Sequence, residues 1–135
     1  MALLDEILTI ALYGIIAAAL MRASLWINDK AILYRFSIDK ELVRDHNSGT
    51  GFVVAGSSIA TGFMLRGVLS GYSASFWLGM RDIAIYFLVG QLILIAGGWV
   101  YARFAGYDVH EEIGDKDNVA AGISFGGFLA ALGYI

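Results

Sequence analysis

Two glutamates stand at matching places in this sequence, each six residues before an asparagine. Glu41 precedes Asn47, and Glu112 precedes Asn118. Each glutamate lies between apolar residues that recur at helical spacing, a pattern typical of a short amphipathic helix at a membrane surface. Such a carboxylate either faces water or caps a neighbouring helix, and we favour that structural role. The alternative is a pair of carboxylates that attract cations to the mouth of a path through the membrane.

Both asparagines come directly before runs of small residues, where the N-cap of a helix belongs. An Asn side chain at this position accepts a hydrogen bond from a backbone N–H that lipid would leave unsatisfied. We therefore predict that Asn47 and Asn118 cap helices. The functional alternative is contact with a polar ligand, because the positive end of a helix dipole favours anions.

An acidic segment in the second half of the chain carries residue types that can ligate a divalent cation. Its members are Asp108, His110, Glu111, Glu112, Asp115 and Asp117. The segment lacks the central glycine of a calcium loop and the HExxH pair of a zinc site. We favour a solvated loop and predict neither a metal site nor a cofactor. No catalytic triad, phosphate loop or nucleophile elbow occurs in the sequence, so we predict that the protein is not an enzyme.

Gln91 is a polar residue in the middle of an apolar segment. Its amide is too far from either end to reach water, so we predict a hydrogen bond to a neighbouring helix. The alternative is a solute path past Gln91, with Ser57, Ser58 or Thr61 across from it. No predicted span has Asp, Glu, Lys or His near its centre, which argues against a proton relay.

The overall composition is that of a membrane protein. Of the 135 residues, 59% are hydrophobic and 16% charged, and the mean hydropathy is +0.71. A soluble domain carries about a quarter charged residues. The net charge of −3 gives no reason to expect nucleic acid, and there is no cysteine for disulfides or thiolate sites. Acidic residues where a signal peptide needs basic ones predict that the first apolar segment is retained as a span.

Four segments are long and apolar enough, or nearly so, to cross a bilayer. They cover residues 7–27, 48–69, 83–104 and 118–135. The connecting loops 28–47 and 105–117 hold most of the Lys and Arg residues that lie outside these four segments. By the positive-inside rule we predict that both loops are cytoplasmic and that both termini lie outside.

A shift of 71 residues aligns the chain with itself. The identical pairs include Glu41 with Glu112, Asn47 with Asn118, and Gly51 with Gly122. We predict a single membrane domain, 1–135, built as two parallel two-helix repeats, about 1–70 and about 76–135. Small residues let helices approach closely in lipid. The predicted packing residues are Gly51, Ala55 and Gly62 in one copy and Gly122, Gly126 and Ala130 in the other.

The segment EEIGDKDNVAAGISFGGFLAALG and its partner ELVRDHNSGTGFVVAGSSIATG resemble the domain of unknown function 350 family of YjfL-like small bacterial inner-membrane proteins. The resemblance covers nearly the whole chain. It implies an all-α, polytopic protein with four transmembrane helices in the bacterial inner membrane. It also implies that some members of the family occur in gene neighbourhoods or fusions with polyamine-related enzymes.

Two function classes follow from these observations. The favoured one is a non-catalytic membrane subunit or scaffold that forms a homo-oligomer or joins a membrane complex and docks a cytoplasmic protein partner. The alternative is a small channel or transporter for cations or polyamine-like solutes. Glu41, Asn47, Gln91, Glu112 and Asn118 are its candidate binding residues.

Overall fold

The computed structural model describes residues 2–35, 37–70 and 75–135, and the secondary structure of these residues is helical. Four α-helices make up most of the chain. They are α1 (Ala2–Ala31), α2 (Ser48–Leu69), α3 (Phe76–Phe104) and α4 (Val119–Tyr134). Single turns of π-helix, Lys40–Arg44 and Glu111–Asp115, precede α2 and α4. The predicted all-α class is confirmed.

The lengths of the helices bear on the number of spans. Three of them, α1, α2 and α3, are long and apolar enough to cross a membrane. The fourth, α4, is apolar but has 16 residues. At 1.5 Å per residue such a helix is about 24 Å long, against about 30 Å for the hydrocarbon core. The fourth span therefore stays a prediction.

Two helices extend beyond the predicted spans. α1 continues past residue 27 to Ala31, although the stretch after Trp26 is polar. Asn28 is buried within it and donates a hydrogen bond to Ser24, and the indole of Trp99 donates to the carbonyl of Ala31 at 2.8 Å. These contacts satisfy the end of the helix, where the local sequence predicts a loop. α3 starts seven residues earlier than predicted, behind Ser75 as its N-cap.

The closest helix packing in the molecule is between α2 and α4. A methyl group on Gly122 would lie 2.3 Å from the backbone oxygen of Gly49, and one on Gly133 would lie 2.4 Å from the Cα of Ala60. The contacts advance together along both helices, so α2 and α4 run in the same direction. Gly56 and Gly126 meet between these two points. At these positions any side chain would push the backbones apart.

The predicted packing residues are divided between this contact and the outside of the bundle. Gly122 and Gly126 lie in the contact, and Ala130 is half-buried. By contrast, among the residues that the structure describes, a methyl group on Gly51 would meet only Leu42, at 3.6 Å, and one on Gly62 would meet nothing within 4 Å. Ala55 is exposed. Close approaches that the spacing of small residues did not predict are made by Gly49, Gly56 and Gly133.

A hydrophobic core joins the helices to the loops. Leu94, Phe125 and Leu129 are completely or almost completely buried at its centre. Val109 and Ile113, from the acidic segment, belong to the same cluster. The charged segment is therefore anchored in the bundle by its apolar residues, and its polar side chains are held at one end of the helices. We call this end, formed by residues 32–35, 37–47 and 105–118, the loop end.

Candidate functional site

The loop end contains a compact capping motif before α2. The π-helical turn Lys40–Arg44 is followed by His46 with a left-handed backbone, φ 54°. This reversal lets the backbone N–H of Asn47 donate to the carbonyl oxygen of Glu41 at 2.8 Å. The Asn47 side chain accepts from the N–H of Thr50 at 2.7 Å and donates to the Glu41 carboxylate at 3.2 Å. Glutamate and asparagine therefore act as one unit at the start of the helix.

The same motif recurs 71 residues later, before α4. Asp117 has the left-handed backbone, φ 46°, and the N–H of Asn118 donates to the carbonyl of Glu112 at 2.8 Å. The Asn118 side chain accepts from the N–H of Ala121 and donates to the Glu112 carboxylate at 2.7 Å. Both asparagines thus lie at the helix starts, in the geometry of an N-cap.

A lysine lies beside each glutamate. Between the two copies, the lysine and its second acidic partner exchange positions in the aligned sequence. Lys40 lies 3.7 Å from Glu41 and 3.2 Å from Asp45. In the second copy Lys116 lies 2.7 Å from Glu112 and 3.0 Å from Glu111. The 71-residue shift places Glu111 at the position of Lys40 and Lys116 at that of Asp45. The same ion pair is therefore kept with its two charges interchanged.

These ion pairs shift the ionisation of the groups involved. Hydrogen bonds from Lys116 and Asn118 lower the pKa of Glu112 below its ordinary value of 4.5. Hydrogen bonds to Glu112 and Glu111 raise the pKa of Lys116, and the bond to Asp45 raises that of Lys40. Glu112 is therefore an anion at neutral pH and already has a cation beside it.

Contacts between the two motifs make them unequal. The Asn47 side chain also donates to the carbonyls of Ile113, at 2.8 Å, and Gly114, at 3.0 Å. Asp117 accepts from the backbone N–H of Gly49 at 2.9 Å and so adds a second cap to α2. In the first copy His46 replaces that carboxylate. The Glu41 side chain is 7% exposed, whereas that of Glu112 is 24% exposed.

A second polar cluster lies among α1, α2 and α3. The amides of Gln91 and Asn28 both donate to the Ser24 hydroxyl, at 2.9 and 3.4 Å. Because Thr61 donates its one hydroxyl proton to the carbonyl of Ser57, the Ser24 hydroxyl donates to Thr61, 2.6 Å away. Gln91 on α3 is thus bonded to Ser24 on α1, which reaches Thr61 on α2 in turn. The carbonyl oxygens of Gln91 and Asn28 accept no hydrogen bond from the described residues.

Sequence reasoning did not include Ser24 and Asn28 in this cluster. Asn28 falls in a predicted loop, and a single serine in an apolar helix carries no signal of its own. Their spacing of four residues places both on one face of α1. That spacing could have indicated a polar stripe facing the bundle.

Asp108, another residue of the acidic segment, is bonded within the loop end. Asp108 accepts from Arg35 at 2.6 Å and from the backbone N–H groups of His110 and Glu111. The bond from Arg35 lowers the pKa of Asp108. Over the residues that the structure describes, no three His, Asp or Glu side chains are grouped as a metal site would require.

Taken together, the apolar helices and the buried polar contacts are those of an all-helical membrane-embedded protein whose loop end is made rigid by two capping motifs. The model of the family described as Domain of Unknown Function (DUF350) matches residues 2–81 and again 75–135. The chain therefore belongs to the DUF350 family. The searches of curated proteins and of solved structures gave no match.

The Glu112 motif predicts a dependence of stability on acid. A folded-state pKa below 4.5 means that ionised Glu112 stabilises the fold above about pH 4.5 and that this contribution is lost as pH falls through the folded pKa. We expect Glu112→Gln to lower the melting temperature in detergent at pH 7 and to flatten its decline below pH 4.5. Parallel melting curves for both proteins across pH 3–7 would contradict this assignment.

Proposed function

We propose that this chain is a non-catalytic subunit of a homo-oligomer in the bacterial inner membrane, with its loop end docking a protein in the cytoplasm. The observation that carries the proposal is the isolation of α1. None of the residues in its most apolar eighteen-residue stretch is buried, whereas a third of the corresponding stretch of α2 is. The first half of α1 gains almost no packing from its own chain.

The proposed architecture is two parallel helical hairpins. The recurring Glu–Asn motif, the shared direction of α2 and α4, and the two matches to one family model support this arrangement. α1 and α3 are also linked by hydrogen bonds, from Gln91 to Ser24 and from Trp99 to Ala31. The two bonded pairs are separated by nearly the same number of residues in the sequence. The positive-inside rule favours a cytoplasmic location for the loop end.

The outer face of α2 is a suitable partner for α1 of a second copy. Ala55 is exposed and a methyl group on Gly62 would meet no described residue within 4 Å, so the face is thin at these two positions, with the exposed Phe52 and Ile59 beside them. The first half of α1 instead presents large side chains, including Leu8 and Ile15, which are 63% and 68% exposed. Lipid tails are as apolar as these side chains, so the gain comes from close contact between a bulky and a thin helix surface.

The loop end offers a surface for a soluble partner. Exposed charges of both signs lie beside an apolar side chain, Val43, that is 71% exposed. Because the capping hydrogen bonds hold these residues in place, docking on them would require little ordering of the chain.

A substitution on the thin face tests the proposed assembly. We expect Ala55→Leu to reduce the oligomeric fraction several-fold in mild detergent, as measured by cross-linking and light scattering. Ala84→Leu is the matched control, because Ala84 is also an exposed alanine, on α3. Equal assembly of the two variants and the unmodified protein would rule out this interface. A purely monomeric parent protein would rule out the homo-oligomer.

The cluster around Gln91 favours a second candidate, a small channel or transporter for cations. Two carbonyl oxygens that accept no bond within the described chain are acceptors for a cation or a donor solute. Under this alternative, proteoliposomes containing the protein should take up monovalent cations, and Gln91→Leu should reduce the uptake. No uptake by the unmodified protein would exclude it.

A further inference from the structure

A cleft at the loop end lies between the last turns of α3 and the segment that follows α1. Its volume is about 500 Å³. Its lining includes Arg35, Trp99, Ala102, Arg103, Asp108 and Val109. Hydrogen bonds fix its walls: Trp99 donates to the carbonyl of Ala31, and the His110 ring bonds to the carbonyl of Ile32 at 2.9 Å.

The cleft has an excess of positive charge. Arg35 and Arg103 bring two guanidinium groups, whereas Asp108 is the one carboxylate among the described residues of the lining. Asp108 is fully engaged, because one oxygen accepts from Arg35 and the other from two backbone N–H groups. Arg103 has no carboxylate within 4 Å among the described residues. Its charge is therefore available to a ligand.

The residues around the cleft indicate which kind of molecule would supply such a ligand. Ala102 and Val109 give the cleft apolar walls, and Trp99 is 57% exposed at its edge. Phe104, next to Arg103, is 81% exposed on the same end of α3. In a membrane protein these side chains are covered by lipid, and tryptophan is enriched at the level of the headgroups. An anion bound to Arg103 would therefore lie where the phosphates of the bilayer lie.

We propose that this cleft binds the phosphate group of an anionic phospholipid, with Arg103 as the principal ligand and Arg35 as a second donor. A guanidinium offers five N–H donors in a planar fork that matches two phosphate oxygens, and Arg35 gives one of its donors to Asp108. Asp115 lies near Arg35 and opposes an anion there, which makes Arg103 the stronger site. The acyl chains would follow the exposed apolar face of α3. This inference is independent of the proposed oligomer.

Lipid binding to purified protein tests the site. Native mass spectrometry in detergent would compare retention of phosphatidylglycerol with that of phosphatidylcholine, for the unmodified protein and for Arg103→Gln. We expect the preference for phosphatidylglycerol to fall about fivefold in the variant, the effect of about one surface cation near anionic lipid. Arg66→Gln is the matched control, since Arg66 is an exposed arginine in the last turn of α2.

Two further comparisons distinguish a lipid site from general charge attraction and from a site for free phosphate. An equal loss in Arg103→Gln and Arg66→Gln would reduce the effect to general charge attraction and overturn the proposal. Competition by millimolar inorganic phosphate would show a site for free phosphate and would also overturn it. Arg103→Lys keeps the charge but loses the planar fork, and we expect it to retain only part of the preference. Full retention in the lysine variant would contradict the role of the fork.

Discussion

Replacing Gly126 by alanine will separate α2 from α4. A methyl group at this position would lie 2.3 Å from the carbonyl oxygen of Phe52, and a backbone atom cannot yield as a flexible side chain can. Overpacking in a well-packed core typically costs about 1–3 kcal/mol, and we expect about 3 kcal/mol or more because one helix must move as a whole. Reversible unfolding in mixed detergent micelles measures this change in the free energy of unfolding.

The neighbouring residue provides a stringent control. A methyl group on Gly127 would meet no described residue within 4 Å, although Gly127 lies in the same helix and one position further along. Alanine is favoured over glycine in a helix by about 0.5–1 kcal/mol, so Gly127→Ala should be neutral or slightly stabilising. If Gly126→Ala and Gly127→Ala unfold at the same denaturant concentration, the close approach of α2 and α4 is wrong.

Removing the Asn47 side chain will destabilise the loop end far more than removing that of Asn118. Asn47→Ala takes away the N-cap of α2 and leaves the carbonyls of Ile113 and Gly114 without this donor. A lost cap costs about 1 kcal/mol, and an unsatisfied buried group about 1–3 kcal/mol. We expect a total of about 3 kcal/mol, because Asn47 is almost completely buried.

Asn118→Ala is the matched variant in the second copy. Asn118 caps α4 and bonds to Glu112, with no bond to the opposite motif, so we expect a cost of about 1 kcal/mol. Hydrogen exchange at the start of α2 would locate the effect of Asn47→Ala. Equal destabilisation by the two substitutions would mean that the bonds across the motifs contribute nothing.

The loop end shows how far a repeat can be predicted. The shift of 71 residues identified Glu41 with Glu112 and Asn47 with Asn118, and the structure gives both pairs the same local hydrogen bonds. The bonds between the motifs did not follow from that alignment. They depend on which carbonyls of the second motif face Asn47, and this is set by how α2 and α4 pack.

The glycines also show which features the sequence predicts and which depend on packing. Their abundance indicated close helix contacts, yet a spacing of three or four residues occurs on more than one face of the same helix. Gly122 and Gly126 face α2, whereas Gly62 faces away from α4. The choice between faces is made by the rotation of each helix about its axis, which depends on contacts with the entire bundle.

By itself the sequence determined that the protein is helical, that its composition suits a lipid environment, and where the two helix caps lie. These properties depend on composition and on residues close together in the chain, which act whatever the rest of the molecule does. The tertiary structure alone decided that Asn28 is buried beside Ser24, that Gly49 and Gly56 meet α4, and that Arg103 lines a cleft. Each of these depends on residues from different helices, and their distances are set by packing in three dimensions.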